Sequence, residues 1–260
     1  MKGDFSSLET EDHIGTVTLD RPDSLNAISG TVADELAGQF TEVGSRPDIW
    51  VMILGAAGDK AFCVGADLKE REHFTLEDFH LNRRQVKGMF EALRRIPQPT
   101  IAAVFGHALG GGFELALSCD LLVAAEATEM GLPEARVGLL PAGGGTQLLA
   151  RKVGEARAKE MIFTGKRIDA RRGFEMGLVA EVVASSELDD ASMRLARRIC
   201  ESSPVAVREA KRAIEAALGS PLEDGIEIEH SAWERVIATA DRAEGIAAFN
   251  DKRDPKWTNS

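Results

Sequence analysis

The sequence lacks the features that would place it in a membrane or in an oxidising compartment. None of its apolar runs approaches the roughly 20 residues that a transmembrane helix requires. Its acidic N-terminus (MKGDFSSLETEDH) has no apolar signal core. Its only cysteines, Cys63, Cys119 and Cys200, show no paired spacing, and the first two lie in apolar runs typical of buried thiols. We therefore expect a soluble cytoplasmic protein.

Positive charge is scarce as well. The chain has 31 Lys and Arg against 42 Asp and Glu, which gives a formal net charge of −11. Because affinity for nucleic acids comes mainly from neutralising phosphates, this balance disfavours a general nucleic-acid binder. It leaves room for a ligand with a few phosphates, which needs only a local basic group. The apolar (44%) and charged (28%) fractions are those of a globular protein.

Short apolar runs alternate with helical-period segments along the first three-quarters of the chain. The predicted strands are residues 14–19, 50–54, 101–105, 121–125 and 179–183, and the predicted helices include 32–43, 76–95 and 152–163. Such alternation predicts an α/β fold with buried strands.

The pattern changes after about residue 185, where only helices are predicted, over 188–200, 204–218 and 222–248. Pro204 and Pro221 each stand in a first helical turn, where proline is well tolerated. We predict an α/β body over residues 1–195 and a helical region over 196–260. Because two or three amphipathic helices cannot bury their own apolar faces, this region is predicted to pack on the body or on a neighbouring subunit.

Three consecutive glycines, residues 110–112, join a predicted strand to a helix in GHALGGGFELALSCD. They match neither the dinucleotide fingerprint nor the phosphate loop. Amides freed at a helix start can instead hold an oxyanion, worth about 3–4 kcal/mol per donor. A second donor is expected in Gly65-Ala66-Asp67, which follows a strand-like run. The competing interpretation is tight packing in the first segment and a plain turn capped by Asp67 in the second.

Two glutamates lie close to these glycine-rich segments. Glu114 follows the three glycines among apolar neighbours, which would raise its carboxyl pKa and suit it to acid–base chemistry. Glu134 precedes a second glycine-rich helix start in GLPEARVGLLPAGGGTQ. A chain reversal between them could bring the two carboxyl groups together. The spacing also fits a purely structural role, since an acid in a first helical turn favours the helix dipole.

Three segments together, KAFCVGADLKE, IAAVFGHALGGGFELALSCD and GLPEARVGLLPAGGGTQ, resemble the crotonase, or enoyl-CoA hydratase/isomerase, superfamily. The resemblance extends from residue 17 to residue 253 and looks closest to the short-chain enoyl-CoA and 3-methylglutaconyl-CoA hydratases. It implies a crotonase-type spiral of ββα turns and a C-terminal helical region that builds trimers, commonly paired into hexamers. It also implies an acyl-CoA thioester substrate and no metal or redox cofactor.

The resemblance also implies roles for individual residues. The backbone N–H groups of Ala66 and Gly111 match the oxyanion-hole donors. Glu114 and Glu134 match the two hydratase carboxylates. We assign Glu114 as the base that activates water and Glu134 as the acid that delivers the proton, roles that a coupled pair can exchange. The positions that match substrate or CoA contacts are Arg21, Leu25, Ala27, Lys60, Ala66, Asp67, Leu68, Lys69, Gly111, Trp233 and Lys252. The chain departs from the family pattern at Phe105, Ala142 and Leu148.

The activity implied is reversible hydration of a 2-enoyl-CoA to a 3-hydroxyacyl-CoA, in fatty-acid or branched-chain amino-acid degradation. The alternatives are a 3-methylglutaconyl-CoA hydratase and an enoyl-CoA isomerase, which typically keeps only the carboxylate at the position of Glu134. An RNA-binding relative is a further alternative, because residues 81–97 carry a basic helix face. His107, beside the glycines, is interpreted as a packing residue or a pocket wall.

Overall fold

The computed structural model describes residues 2–260, which contain nine β-strands, eleven α-helices and three short 3-10 helices. The strands are β1 (Ser6–Glu11), β2 (Ile14–Leu19), β3 (Val51–Ala56), β4 (Thr100–Val104), β5 (His107–Leu109), β6 (Leu121–Ala125), β7 (Glu129–Gly131), β8 (Arg167–Asp169) and β9 (Glu181–Val183). The α-helices are α1 (Gly30–Ser45), α2 (Leu68–Arg71), α3 (Leu76–Arg94), α4 (Gly111–Ser118), α5 (Gly145–Val153), α6 (Glu155–Thr164), α7 (Ala170–Glu175), α8 (Leu188–Cys200), α9 (Pro204–Ala217), α10 (Leu222–Ile237) and α11 (Ala240–Asp251). The 3-10 helices are Pro22–Ser24, Glu134–Val137 and Ser185–Glu187.

Six strands form the main sheet, in the order β1-β2-β3-β4-β6-β9. Only the edge strand β1 runs antiparallel to its neighbour. All five residues of β4 are buried, as expected for a parallel strand covered by helices on both faces. The second sheet, β5-β7-β8, is small, and it positions the start of α4.

Alternate side chains of the main sheet pack into two cores. Met52 and Leu54 of β3 belong to the larger core, together with Phe40 of α1 and Phe113 of α4. Val51 and its same-face neighbours belong to the smaller core on the opposite face, which α8 covers. Helix α4 is therefore anchored in the larger core.

The predicted strands at 14–19 and 121–125 are confirmed residue for residue, and the other three differ by one or two residues at an end. The prediction missed β1, β5, β7 and β8. A continuous helix over 152–163 was wrong, because Gly154 at φ +86° ends α5 and begins α6. A continuous helix over 222–248 was also wrong, because the chain restarts at Thr239, whose hydroxyl caps α11.

The predicted boundary between residues 195 and 196 falls inside α8. This helix packs on β3, β4 and β6 and so extends the body of the molecule. Helices α9, α10 and α11 follow it. No helix within residues 2–260 is both long enough and apolar enough to cross a membrane.

Candidate active site

A cavity of about 560 Å³ lies between α3, the start of α4 and the segment that follows β7. The structure brings Ala66, Gly111, Glu114 and Glu134 to the lining of this one cavity, although they lie far apart in the sequence. Much of the remaining lining is apolar and comes from Ile28, Val64, Leu68, Phe79, Val86, Phe90, Pro133, Val137, Leu139, Leu140 and Ala142. The cavity therefore offers a polar reaction centre inside a largely apolar pocket.

The loop over residues 21–28 is fastened to the loop that carries Ala66. The buried amide of Asn26 donates to the carbonyls of Ala57 and Ala61, at 3.0 and 2.8 Å. Ile28 N–H donates to the Gly65 carbonyl at 2.7 Å. These bonds hold both loops in one arrangement and place the peptide of Ala66 at the cavity.

The backbone N–H groups of Ala66 and Gly111 are free to bind a ligand. Within residues 2–260, neither amide donates to a protein acceptor. Gly111 opens α4, where helix geometry leaves the first N–H groups without intrahelical partners. A methyl group built on Gly111 would lie 3.9 Å from the Ala66 nitrogen, so the two donors border the same space. Together they can hold one oxygen that gains negative charge.

The three glycines serve different purposes. Gly110 has φ +53°, a backbone conformation that favours glycine. A side chain at Gly112 would collide with the carbonyl oxygen of Cys63. A methyl group at Gly111 would meet no protein atom closer than 3.5 Å. The first and third glycines are therefore required by the fold, whereas Gly111 keeps the cavity open.

Glu114 is held by amides rather than by a cation. Its Oε1 accepts hydrogen bonds of 2.7 Å from the N–H groups of both Gly143 and Gly145. Burial is the larger effect and raises the pKa of this carboxyl above its ordinary value, although the amide hydrogen bonds limit the rise by favouring the anion. The glycine-rich helix start that follows Glu134 in the sequence thus binds Glu114 instead.

Glu134 stands at the start of its 3-10 helix and has fewer hydrogen-bond donors than Glu114. Its Oε2 is buried and has no hydrogen-bond partner within residues 2–260. Burial, reinforced by the nearby charge of Glu114, raises the pKa of Glu134 to about 7. The two carboxyl groups therefore differ in their tendency to ionise, as an acid–base pair requires.

Comparisons with known proteins show the family of this chain. Residues 9–260 match the family model described as enoyl-CoA hydratase/isomerase. A Bacillus subtilis protein, YngF, named for the same activities, is 44% identical over 93% of each chain. The human enoyl-CoA hydratase domain-containing protein 2, mitochondrial, is 40% identical over 94% of this chain and 85% of its own. The crystal structure of an enoyl-CoA hydratase from Bacillus anthracis superimposes with a TM-score of 0.96 at 40% identity, covering 98% of this chain and 100% of that one.

The chain belongs to the enoyl-CoA hydratase/isomerase family. The predicted α/β crotonase fold and the assignment to the enoyl-CoA hydratases are confirmed. The family acts on acyl-CoA thioesters.

The positions matched to CoA contacts in this family are only partly gathered at the cavity. Leu68 lines it together with Ala66 and Gly111, whereas Trp233 of α10 and Lys252, which follows α11, do not. The remaining positions do not line the cavity and lie in loops or in the short helix α2: Arg21, Leu25, Ala27, Lys60, Asp67 and Lys69. Their roles as CoA contacts stay predictions.

Asp67 caps α2, as the sequence suggested. Its Oδ1 accepts from the Lys69 and Glu70 amides, and its Oδ2 lies 2.6 Å from the Arg21 guanidinium. Burial works against the charge of Asp67, but the hydrogen bonds from Arg21 and the two amides outweigh it and lower the pKa of that carboxyl. Arg21 and Asp67 thus tie the two loops together.

Four other residues singled out in the sequence have structural explanations. His107 is not a pocket wall, because it lies outside the cavity with its Nδ1 3.2 Å from Glu129 Oε2. Phe105 packs against the smaller core and Leu148 against the larger one. Ala142 lines the cavity beside the Gly143 amide.

Sequence reasoning missed the arginines that support the segment around Gly143. Arg83 and Arg94 donate to the carbonyls of Ala142 and Gly143, each at 2.7 Å. Both had been interpreted as part of a basic helix face with Lys87, which pairs with Glu91 at 3.4 Å. Three of its cationic side chains are therefore engaged within the chain, which weakens the RNA-binding alternative.

Proposed function

We propose that this protein adds water reversibly across the 2,3-double bond of a 2-enoyl-CoA thioester and so forms a 3-hydroxyacyl-CoA. One observation carries the proposal: the amides of Ala66 and Gly111, which donate to no acceptor within residues 2–260, line the same cavity as the carboxyl groups of Glu114 and Glu134. An enoyl-CoA isomerase has no need of the second carboxyl group, so the pair favours hydration.

The two amides stabilise charge on the thioester. Its carbonyl oxygen accepts hydrogen bonds from Ala66 and Gly111, and the positive end of α4 adds to their effect. This interaction strengthens as the oxygen becomes an enolate oxygen. Withdrawal of electrons toward that oxygen makes C3 electrophilic.

The carboxyl groups move the protons. Glu114 as the anion removes a proton from a water molecule while the water oxygen bonds to C3, and the electrons of the double bond move into the enolate. Neutral Glu134 then donates its proton to C2, and the thioester carbonyl re-forms. Transfer of the proton from Glu114 to Glu134, directly or through solvent, restores the starting state. Because side chains and amides supply every step, the proposal needs no metal or redox cofactor.

The CoA moiety is proposed to bind along the loops over residues 21–27 and 60–69. Arg21, Lys60 and Lys69 supply the local positive charge that phosphates need in an otherwise acidic chain. Trp233 and Lys252 are proposed to contact CoA bound to a neighbouring subunit, within a homotrimer or a dimer of trimers. The three cysteines are free, which fits a reducing compartment such as the cytoplasm.

A hydration assay with crotonyl-CoA tests the proposal. The wild-type protein is expected to remove the absorbance of the conjugated thioester. Glu114→Gln and Glu134→Gln are each expected to lower kcat by about 10²-fold or more, because each removes one proton-transfer group. An inactive wild-type protein, or near-wild-type turnover by either variant, would contradict the proposal.

A second candidate substrate class is a 2-enoyl-CoA whose acyl chain ends in a carboxylate, as in 3-methylglutaconyl-CoA. Arg71 lines the cavity and donates to Asn82 at 2.8 Å, but within residues 2–260 it has no carboxylate within ion-pair distance. Burial lowers the pKa of this guanidinium, so an acid from the substrate would compensate for its lost hydration.

Competition between the two substrate classes tests this candidate. If Arg71 binds a substrate carboxylate, kcat/KM for 3-methylglutaconyl-CoA should exceed that for crotonyl-CoA, and Arg71→Met should abolish the preference. Lys69→Met removes a neighbouring charge that does not line the cavity and serves as the control. An unchanged preference in Arg71→Met would leave simple enoyl-CoA esters as the substrates.

A further inference from the structure

Two arginines of α3 contact the backbone of residues 142–143, in the segment whose amides bind Glu114. Arg83 Nη2 donates to the carbonyl of Ala142, and Arg94 Nη1 donates to the carbonyl of Gly143, both at 2.7 Å. Neither guanidinium has a carboxylate within ion-pair distance in the part of the chain described, residues 2–260. Their charges are therefore directed at backbone carbonyls.

The first of these carbonyls belongs to a peptide group that also contacts Glu114. The peptide between Ala142 and Gly143 accepts from Arg83 through its oxygen and donates from its nitrogen to Glu114 Oε1, at 2.7 Å on each side. The next peptide accepts from Arg94 through the Gly143 oxygen, and its N–H belongs to Gly144, which also favours the charged form of Glu114.

Hydrogen bonds linked through a peptide group strengthen one another. A cation that donates to the carbonyl oxygen draws electrons from the nitrogen, so the N–H on the other side becomes a better donor. A stronger donor favours the ionised form of the carboxyl group that accepts from it. Arg83 and Arg94 are thus connected to Glu114 without touching it.

We propose that Arg83 and Arg94 are positioning residues that act through the peptide groups of residues 142–144 to hold Glu114 as the anion. The proposal rests on the hydration proposed above and explains which glutamate is its base.

The charged groups around Glu114 agree with this arrangement. Arg83 and Arg94 approach from α3, and Glu134 approaches from its 3-10 helix. Helix α5, which packs against α4, contributes the amide of Gly145 rather than a charged side chain. Burial is the largest effect on Glu114 and raises the pKa of its carboxyl, whereas the amides of residues 143–145 and the charge of Arg83 oppose that rise. No comparable donors hold the buried Oε2 of Glu134.

Arginine variants test the proposal through the pH dependence of crotonyl-CoA hydration. Arg83→Gln and Arg94→Gln should move the acid limb of kcat/KM to higher pH, because Glu114 would then bind its proton more tightly. Relative to the wild type, each variant should lose about three- to tenfold more kcat/KM at acid pH than at the pH of the plateau. One pKa unit corresponds to a tenfold change in the ionised fraction at the acid end. The loss should appear in kcat with little change in KM.

Arg84→Gln is the matched control. Arg84 lies on the same helix, and within residues 2–260 it forms no hydrogen bond or ion pair, so its removal changes the charge but not the peptide contacts. Arg83→Lys keeps a cationic donor, so the acid limb of its kcat/KM profile should lie close to the pH of the wild-type limb. Thermal unfolding establishes that each variant is folded.

The outcomes separate this proposal from the function on which it rests. If the wild-type protein does not hydrate crotonyl-CoA, the proposed function fails. If it does, but Arg83→Gln lowers activity equally at every pH or shifts the limb no further than Arg84→Gln, only the role given to the arginines is overturned. If Arg83→Gln fails to fold, the same comparison applies to Arg94→Gln and Arg83→Lys.

Discussion

Glu114 and Glu134 line one cavity but experience opposite surroundings. Glu114 accepts two short hydrogen bonds from amides, whereas Glu134 Oε2 has no partner within residues 2–260. A buried carboxyl group without donors favours its neutral form, and one with several donors can stay ionised. Burial raises the pKa of both carboxyl groups, and the local backbone gives Glu114 the donors that favour its anion.

The rate of hydration should fall as the pH rises through about 7. The pKa of Glu134 is about 7, and the acid that protonates C2 must carry its proton when the substrate binds. A profile of kcat/KM for crotonyl-CoA against pH is therefore expected to show an alkaline limb near neutrality. In Glu134→Gln that limb should disappear from the residual activity. A wild-type profile flat from pH 6 to pH 9 would contradict this role.

Glu134 should also lower the free energy of unfolding at high pH. Its pKa is raised from 4.5 when unfolded to about 7 when folded, so above about pH 7 the folded state must bury a charge. Glu134→Gln is expected to raise Tm by about 2–4 °C at pH 9 and to change it little at pH 4. Differential scanning calorimetry provides the measurement, with Glu72→Gln, at an exposed position, as the control. If Glu134→Gln has a lower Tm than the wild type at pH 9, the carboxyl group stabilises the fold and the prediction is wrong.

At the scale of elements, the junction between β5 and α4 combines close packing with an open ligand space. A side chain at Gly112 would strike the backbone of Cys63, whereas one at Gly111 would point into free volume. Neighbouring glycines at this junction are thus subject to different constraints.

Two alanine substitutions should separate these constraints. Gly112→Ala is expected to destabilise the protein by about 1–3 kcal/mol or to prevent folding, because the backbone of β5 and α4 must shift. Gly111→Ala is expected to fold with nearly the wild-type Tm but to lose most activity, because its methyl group occupies the thioester space. Thermal melts and crotonyl-CoA assays on both variants provide the test. Equal loss of stability in the two would contradict the assignment.

The helices and most strands of the main sheet were predictable from the sequence because their apolar side chains form a pattern, which the mostly polar edge strand β1 lacks. Residues 14–19 and 121–125 are apolar runs long enough to identify buried strands, and both were found. Strands β5, β7 and β8 have three residues each, too few to show alternation. They depend on tertiary pairing between distant segments, which a single sequence does not reveal.

Much of the site was also predictable, but its supports were not. The glycines and the two glutamates stand in recognisable motifs. In contrast, Arg83 reaches the Ala142 carbonyl across 59 residues, and Glu114 meets Gly143 across 29. Such contacts follow from how α3 and α5 pack around α4, and no local pattern records that packing. A basic residue facing a carbonyl looks the same in sequence as one facing water.

At the scale of the whole molecule, the C-terminal helices expose apolar side chains. Phe249 of α11 is 85% exposed, and Ile214, Leu222 and Trp233 on α9 and α10 are exposed as well. A second cavity lies between α9 and α10, with Trp233 in its lining. An apolar surface of this kind is typical of a protein–protein contact, and the proposed neighbour is another copy of the chain.

The protein is expected to have the mass of three or six 28.0 kDa chains in solution. Phe249→Glu should shift it toward smaller species, because the substitution places a charge in the proposed interface. Phe163→Glu changes an exposed phenylalanine on the body and serves as the control. Size-exclusion chromatography with light scattering measures the mass. A wild-type monomer would refute the proposed assembly.

The central claim is that Ala66 and Gly111 hold the thioester while Glu114 and Glu134 act on its C2–C3 bond. The most direct measurement is a crystal structure with the product 3-hydroxybutyryl-CoA bound. We expect the thioester oxygen to lie about 2.7–3.2 Å from both amide nitrogens, with the 3-hydroxyl group between the two carboxyl groups. A thioester oxygen bonded elsewhere, or a C2–C3 bond beyond reach of either glutamate, would contradict the claim.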